Sequence, residues 1–163
     1  MPAEIQIIEV KPRPLAVVRV TTLPSKWPRE FMHSLNKVYA AVKAGHVTQS
    51  GHNVMVYHPR EDGQVDIECG IETAQTFEPA GEVVYSQTPS GAAVTIAHIG
   101  PYQELGRSHG AVAEWSRRNG HGLTGICWEI YGDWEEDSAK LRTDIFHLMS
   151  PLDACHTEVK SSI

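Results

Sequence analysis

The sequence predicts an α+β fold made of a tandem duplicated β-α-β-β unit with pseudo-twofold symmetry, in which an antiparallel sheet and two helices leave a central groove. Two observations carry this prediction. Segments with strand-like and helix-like patterns follow one another in the same order in both halves, and matching residues keep a nearly constant separation. Because 163 residues is a usual size for one domain, we expect a single domain over residues 1–163, with pseudo-repeats at about 4–77 and 81–151.

The first half begins with two runs of mainly apolar, β-branched residues, 5–10 and 15–20, which predict strands. Over residues 28–45 the apolar spacing changes to that of a helix, with a proline in the first turn and a glycine at the end. Segments 54–57 and 65–69 predict a β-hairpin, because an Asp-Gly turn separates them. The second of these strands alternates acidic with apolar residues, which predicts one wet and one buried face.

The second half repeats this order of elements. Segments 83–85 and 93–97 predict strands, residues 101–118 predict a helix, and segments 126–131 and 141–146 predict a second hairpin. The inner face of this helix is expected to carry Tyr102, Leu105, His109, Val112 and Ser116.

Glu129 occupies a position at which the first half of the chain has an apolar residue. Tyr57 and Tyr131 lie 74 residues apart, and the same separation aligns Glu129 with Met55. Because successive side chains of a strand point to opposite faces, Glu129 should share its side with Cys127 and Tyr131. The pattern therefore places a carboxylate in an aromatic, apolar stretch.

A carboxylate in such a stretch must either be paired or undergo a rise in pKa. Two interpretations of Glu129 stay open: it pairs with an internal arginine such as Arg19 or Arg107 or reaches solvent, or it faces a ligand. Most of the aromatic residues are expected in the core, and the remainder could line a pocket for a planar or cationic ligand. The aromatic set is Trp27, Phe31, Tyr39, Tyr57, Tyr102, Trp115, Trp128, Tyr131 and Phe146.

Composition excludes several classes of protein. The formal net charge is −6, from 14 Lys and Arg against 20 Asp and Glu, so we expect no direct nucleic-acid binding. No apolar run approaches the roughly 20 residues of a membrane helix, and no signal peptide is evident, so we expect no membrane association. Cys69, Cys127 and Cys155 are odd in number and far apart, which argues against a disulfide framework and favours a cytoplasmic location.

Residues 106–110 match the G-x-S-x-G pattern of serine hydrolases, and Asp144 and His147 follow in the order of a triad. The context argues against this function, because Ser108 falls inside the predicted helix rather than on a turn after a strand. The two glycines of the pattern cost a helix about 1 kcal/mol each relative to alanine. We therefore expect a close approach of a sheet, a partner helix or a ligand at both.

A metal site is not expected from the spacing of ligand-type residues. The chain has nine histidines, but none forms a His-x-x-x-His or His-Glu-x-x-His motif or a close His/Cys pair with the spacing of metal ligands. Phosphate-binding glycine motifs are absent as well. We predict no metal and no cofactor.

Several stretches together resemble the GyrI-like family, which comprises the effector-binding domains of AraC-type and MerR-type multidrug-sensing regulators and their free-standing relatives. The stretches are the His-x-Gly-Pro-Tyr turn in residues 97–102, the helix with Trp115, the Trp-Glu-Ile-Tyr strand in 125–131, and segment 141–145. The resemblance runs from residue 5 to about residue 151. It implies an SHS2-like duplication with a central ligand groove, in which Glu129 receives lipophilic, often cationic compounds between aromatic rings.

The resemblance, combined with the pattern of the chain, gives a set of candidate ligand-binding residues: Glu129, Tyr131, Tyr57, Met55, Tyr102, Trp115, Trp128 and Phe31. The chain departs from the regulators of this family in one respect. No segment outside the duplicated unit has room for a helix-turn-helix, so direct DNA binding is not expected.

Three functions are consistent with this sequence. The first is a stand-alone protein that binds amphipathic, cationic or aromatic compounds around Glu129. The second is a hydrolase of electrophilic, cyclopropane-bearing natural products, with Glu129 as the catalytic base and Tyr131 as a proton donor. The third is a protein-interaction module similar to the inhibitors of DNA gyrase in this family. The oligomeric state stays open.

Overall fold

The computed structural model describes residues 4–151 and contains eight strands and two helices. The helices are α1 (Trp27–Lys43) and α2 (Leu105–Arg118). The strands are β1 (Gln6–Val10), β2 (Pro14–Thr22), β3 (Gln49–Pro59), β4 (Val65–Thr73), β5 (Val84–Gln87), β6 (Gly91–Ile99), β7 (Leu123–Tyr131) and β8 (Arg142–Met149). The predicted α+β class, with antiparallel strands and two helices, is confirmed. No helix among residues 4–151 is both long and apolar enough to cross a membrane.

The described residues form two compact units. The first unit contains residues 12–88 and 128–131, with the strand order β7-β3-β4-β2-β5. The second unit contains residues 4–11, 89–127 and 132–151, with the order β1-β6-β8-β7. Strand β7 thus contributes its last four residues to the first unit and its earlier residues to the second.

The edge strands are exchanged between the predicted repeats. Strand β1 is the first strand along the chain, yet it pairs antiparallel with β6, which belongs to the second half of the chain. Strand β5 comes after the first repeat and pairs antiparallel with β2. Each leading strand therefore completes the sheet of the other half of the chain. Periodicity could predict that both segments are extended, but not which strand each would join.

The first unit has its core between α1 and the sheet. The predicted apolar stripe of α1 is confirmed, since Phe31, Leu35 and Val38 are buried. Val38 packs in a cluster with Val18 of β2, Ile71 of β4 and other buried residues. This cluster identifies the α1-facing side of the sheet.

The second unit has an equivalent arrangement of α2 and its sheet. Leu105, Val112 and Ser116 are buried on the predicted inner face of α2. His98 of β6 lies under this helix, because its Nδ1 is 2.7 Å from the Ser108 hydroxyl oxygen. Helix α2 therefore covers the face of the sheet that carries His98.

The two glycines of α2 are not approached by the sheet or by another element of the described residues, so a partner helix or a ligand at these positions stays a prediction. A Cβ atom added to Gly106 or Gly110 would meet nothing within 4 Å, and both positions are exposed. A close approach does require a glycine at Gly70, where a Cβ would lie 1.8 Å from the carbonyl oxygen of Ala16 on β2. Gly106 and Gly110 lie one turn apart on the outer side of α2, so neighbouring elements do not reach them.

Candidate functional site

Glu129 and Tyr131 form a buried hydrogen-bonded pair at the end of β7, in the first unit. The Tyr131 hydroxyl donates to Glu129 Oε1 over 2.7 Å. Glu129 is 2% exposed and Tyr131 is 9% exposed. The two side chains share one face because they are two residues apart on a strand. A carboxylate and a phenol are thereby held together away from bulk water.

Two aromatic side chains of α1 extend from this pair. The Phe31 and Tyr131 ring centroids lie 5.4 Å apart at an interplanar angle of 55°. Trp27 meets Phe31 edge-on, with centroids 6.4 Å apart and an angle of 80°. Phe31 is buried and Trp27 is half-buried, so a row of three rings leads from the interior towards the surface. Tilted and edge-to-face contacts are the arrangements that aromatic rings prefer.

Met55 and Tyr57 lie on β3, the sheet neighbour of β7, and point to the same side as α1. The Tyr39 hydroxyl of α1 donates to the Asn53 side-chain oxygen, which places Asn53 on that side. Met55 and Tyr57 follow at two-residue steps and therefore share this face. Met55 is buried, whereas Tyr57 is half-buried.

The other three predicted site residues occupy different positions. Trp128 is fully buried and, as the strand neighbour of Glu129, points to the opposite face of β7. Tyr102 and Trp115 belong to the second unit. Tyr102 is 39% exposed, and partial burial raises the pKa of its phenol. Trp115 stacks on His121, with centroids 5.5 Å apart. A role for these three in ligand binding stays a prediction.

Arg19, one of the two arginines considered as partners of Glu129, is bound to a different carboxylate. Arg19 donates from Nε to Glu68 Oε1 over 3.1 Å, and its Nη2 reaches the Ser86 hydroxyl. Arg107 is exposed on α2, in the second unit. The pairing of Arg19 with Glu129 is therefore wrong.

A polar pocket that sequence reasoning missed lies on the other face of the first-unit sheet. Its centre is Glu68 of β4, which receives hydrogen bonds from Arg19 and, over 2.6 Å, from the Ser86 hydroxyl. His58 Nε2 is 3.0 Å from the second carboxylate oxygen. These four residues, together with Asp66 and others, line an open cavity of about 560 Å³. The cavity combines a fixed carboxylate with a guanidinium and an imidazole.

The carboxylate of Glu68 is held in its charged form. Burial by itself would raise its pKa, but the hydrogen bonds from His58, Ser86 and Arg19 outweigh burial and lower the pKa to about 2. The prediction that the acidic side of β4 is wet is correct for Asp66 and wrong for Glu68, which is 8% exposed. The burial of Glu68 could have been predicted only from its position opposite Arg19 in the sheet. The local sequence pattern does not predict which residues of two strands lie opposite each other.

The serine-hydrolase pattern does not assemble a triad, as expected. Ser108 lies inside α2, and its histidine partner is His98, whose Nε2 is bonded to the Pro101 carbonyl oxygen at 3.0 Å. Asp144 accepts from Arg142, and His147 contacts His109. The residues that the triad would need are therefore each directed to other partners.

Three ligand-type side chains converge in the second unit although no motif spacing predicts it. Donor atoms of His109, Cys127 and His147 all lie within 4.8 Å of one another. They come from α2, β7 and β8 respectively, separated by 18 and 20 residues along the chain. Only tertiary structure brings them together.

Comparison with known proteins identifies the family. A family model described as a GyrI-like small-molecule-binding domain matches residues 3–147. The crystal structure of the EcmrR C-terminal domain superposes with a TM-score of 0.76 at 20% identity, covering 92% of this chain and 99% of that one. The structure of SAV2435 bound to tetraphenylphosphonium gives 0.69 at 14% identity, covering 94% and 98%. A hydrolase from Listeria innocua gives 0.56 at 11% identity, covering 90% and 92%.

This chain covers 58% of the EcmrR chain solved in complex with DNA. No curated protein matches this sequence at a significant level. The structural likenesses show the shared fold, and the family model spans nearly the whole sequence. The chain belongs to the GyrI-like family of small-molecule-binding domains.

Proposed function

We propose that this protein binds amphipathic compounds that carry a positive charge or aromatic rings, and that Glu129 is the group that selects for the charge. The observation that carries the proposal is the buried hydrogen bond between Tyr131 and Glu129 Oε1. Binding a lipophilic cation would supply opposite charge in a water-poor setting, where electrostatic attraction is strong.

The surroundings of this pair suit a lipophilic ligand. Phe31 and Trp27 offer ring surfaces next to Tyr131, and ring faces attract positive charge. Met55 and Tyr57 add apolar surface on the same side of the sheet. Methionine adapts its shape to different ligands more readily than branched side chains do. A site with one fixed charge and adaptable apolar walls would accept compounds of varied shape.

Tetraphenylphosphonium is the appropriate probe, because SAV2435, a relative with the same fold, was solved with this cation. We expect the wild-type protein to bind it with one-to-one stoichiometry in isothermal titration calorimetry, and to unfold at a higher temperature in its presence. Triphenylphosphine oxide, a neutral compound with similar rings, should bind at least tenfold more weakly. Equal affinity for the two compounds would overturn the cation preference while leaving ligand binding intact.

A second candidate function is hydrolysis of electrophilic, cyclopropane-bearing compounds. The observation that favours it is again the Glu129 and Tyr131 pair, since it sets a base beside a proton donor. Glu129 would take a proton from water while the hydroxyl attacks a ring carbon and a carbon–carbon bond of the ring breaks. Tyr131 would donate its proton to the departing carbon and recover one from Glu129 through the hydrogen bond. A structural neighbour named as a hydrolase adds support.

Product analysis separates the hydrolase from the binding protein. If the protein is an enzyme, mass spectrometry of a cyclopropane-bearing electrophile should show a product heavier by one water, formed over many turnovers. We expect Glu129→Gln to abolish the product and Ser108→Ala, the matched control, to leave the rate unchanged. Loss of product in Ser108→Ala alone would instead favour a serine-hydrolase mechanism.

The third candidate, a gyrase-inhibitor-like interaction module, stays a prediction, as do a protein partner, the absence of direct DNA binding and the cytoplasmic location. The net charge of −6 would suit a basic partner surface.

A further inference from the structure

The second unit contains a group of nitrogen and sulfur ligands that the proposed function does not use. His109 Nδ1 lies 2.8 Å from His147 Nε2, and the two ring centroids are 5.0 Å apart. Cys127 completes the group, with all three donor atoms within 4.8 Å of one another. Cys127 is not part of a disulfide. We call these three residues the His-Cys-His cluster.

The fold holds the members of this cluster from three different elements. His109 falls on the inner stripe of α2, one turn from Leu105 and close to Val112, both of which are buried. His147 follows Ile145 at a two-residue step on β8, so both side chains point to one face of the strand. The contact between the two histidines shows that this face lies against α2.

Each member of the cluster is half-buried. A dissolved ion could therefore reach the donor atoms without unfolding of the unit. The surrounding helix and strands would restrict the three side chains once the ion is bound. Partial burial also limits competition by water for the coordination positions.

We propose that His109, Cys127 and His147 form a binding site for a transition-metal ion, with Zn²⁺ as the preferred ion. Imidazole and thiolate are the ligands that Zn²⁺ takes in proteins, usually in tetrahedral geometry. Three protein ligands leave the fourth position for a water molecule, as in metal sites that keep an open position. Oxygen-preferring ions such as Mg²⁺ and Ca²⁺ do not suit this donor set.

The distance between the two imidazole nitrogens needs a small adjustment on binding. Tetrahedral geometry with zinc–nitrogen bonds of about 2.1 Å separates two nitrogen ligands by about 3.4 Å. The imidazole nitrogens, now 2.8 Å apart, would open by about 0.6 Å. Side-chain rotations of the two rings supply a movement of this size.

The hydrogen bond between the two histidines determines how many protons are released when a metal ion binds. In the hydrogen bond between the histidines one nitrogen carries a proton, and it must become a lone-pair ligand. Its proton passes to the other nitrogen of the same ring, so the imidazoles release none. The Cys127 thiol must lose its proton to form the thiolate, and this proton goes to solvent. Starting from neutral rings and a thiol, binding should release about one proton per ion.

Cobalt spectroscopy of the wild-type protein tests the site without any substitution. We expect one Co²⁺ per chain, with strong visible bands typical of tetrahedral coordination and a near-ultraviolet band from thiolate-to-cobalt charge transfer. Added Zn²⁺ should displace Co²⁺ and remove both sets of bands. A Co²⁺ complex without the charge-transfer band, or with the weak visible bands of octahedral coordination, would overturn the proposal.

Variants then assign the ligands. Cys127→Ser should remove the charge-transfer band, and His109→Gln or His147→Gln should weaken Zn²⁺ binding at least tenfold in competition with a chromogenic chelator. Two controls should bind as the wild type does: His33→Gln, an exposed histidine of α1, and Cys155→Ser, which lies outside the described residues. Loss of binding in Cys155→Ser with retention in Cys127→Ser would contradict the assignment. Tetraphenylphosphonium affinity, measured in parallel in the same variants, tests the proposed function separately from metal binding.

Discussion

Glu129→Gln should lower the affinity for tetraphenylphosphonium at least tenfold, which corresponds to about 1.4 kcal/mol of binding free energy. The substitution keeps the size of the side chain and removes its charge. Because Glu129 is almost fully buried, water screens its attraction to a cation only weakly. Affinity for neutral triphenylphosphine oxide should change much less. Isothermal titration calorimetry of both ligands with both proteins measures the difference.

Two further variants test whether the loss of affinity depends on the Glu129 site rather than on net charge. Tyr131→Phe keeps the ring that contacts Phe31 but removes the hydroxyl that bonds to Glu129, so we expect a smaller loss of affinity than in Glu129→Gln. Glu82→Gln neutralises an exposed carboxylate of the first unit and should leave the affinity unchanged. If Glu82→Gln and Glu129→Gln weakened binding equally, net charge rather than the site would explain the effect.

Glu68→Gln should destabilise the protein by on the order of 2 kcal/mol at pH 7. A pKa lowered from 4.5 to about 2 would correspond to at most about 3 kcal/mol, reduced here because the side chain of Arg19 is 60% exposed. Glutamine also leaves the His58, Ser86 and Arg19 donors without a charged acceptor. Urea denaturation followed by circular dichroism measures the change in the free energy of unfolding.

The same carboxylate predicts a dependence of stability on pH. Its pKa is lower in the folded protein than in the unfolded chain, so its contribution is complete above pH 4.5 and is lost as pH falls towards 2. The free energy of unfolding of Glu68→Gln should therefore fall less over this range than that of the wild type. Glu61→Gln, at an exposed position before β4, serves as the control. A parallel loss of stability in the wild type and Glu68→Gln would contradict the assignment.

The sequence by itself determined the elements that depend on local periodicity. Helix α1 was predicted over residues 28–45 and is observed at Trp27–Lys43, with its apolar stripe buried as expected. Helix α2 and the strands after it were found for the same reason, since a repeat of 3.6 or 2 residues reports which face meets the core. Alternation along one strand also placed Glu129 and Tyr131 on the same face, as observed, whereas the burial of the carboxylate was one of the interpretations left open.

Only the tertiary structure decided which segments meet. Strand β1 joins β6, and strand β5 joins β2, across long stretches of chain. The Arg19 and Glu68 pair depends on the register of β2 against β4, which shifts every partner if it moves by one residue. The His-Cys-His cluster likewise depends on the docking of α2 on its sheet. Such contacts arise from packing between distant segments, and the local pattern of each segment carries no information about its partner.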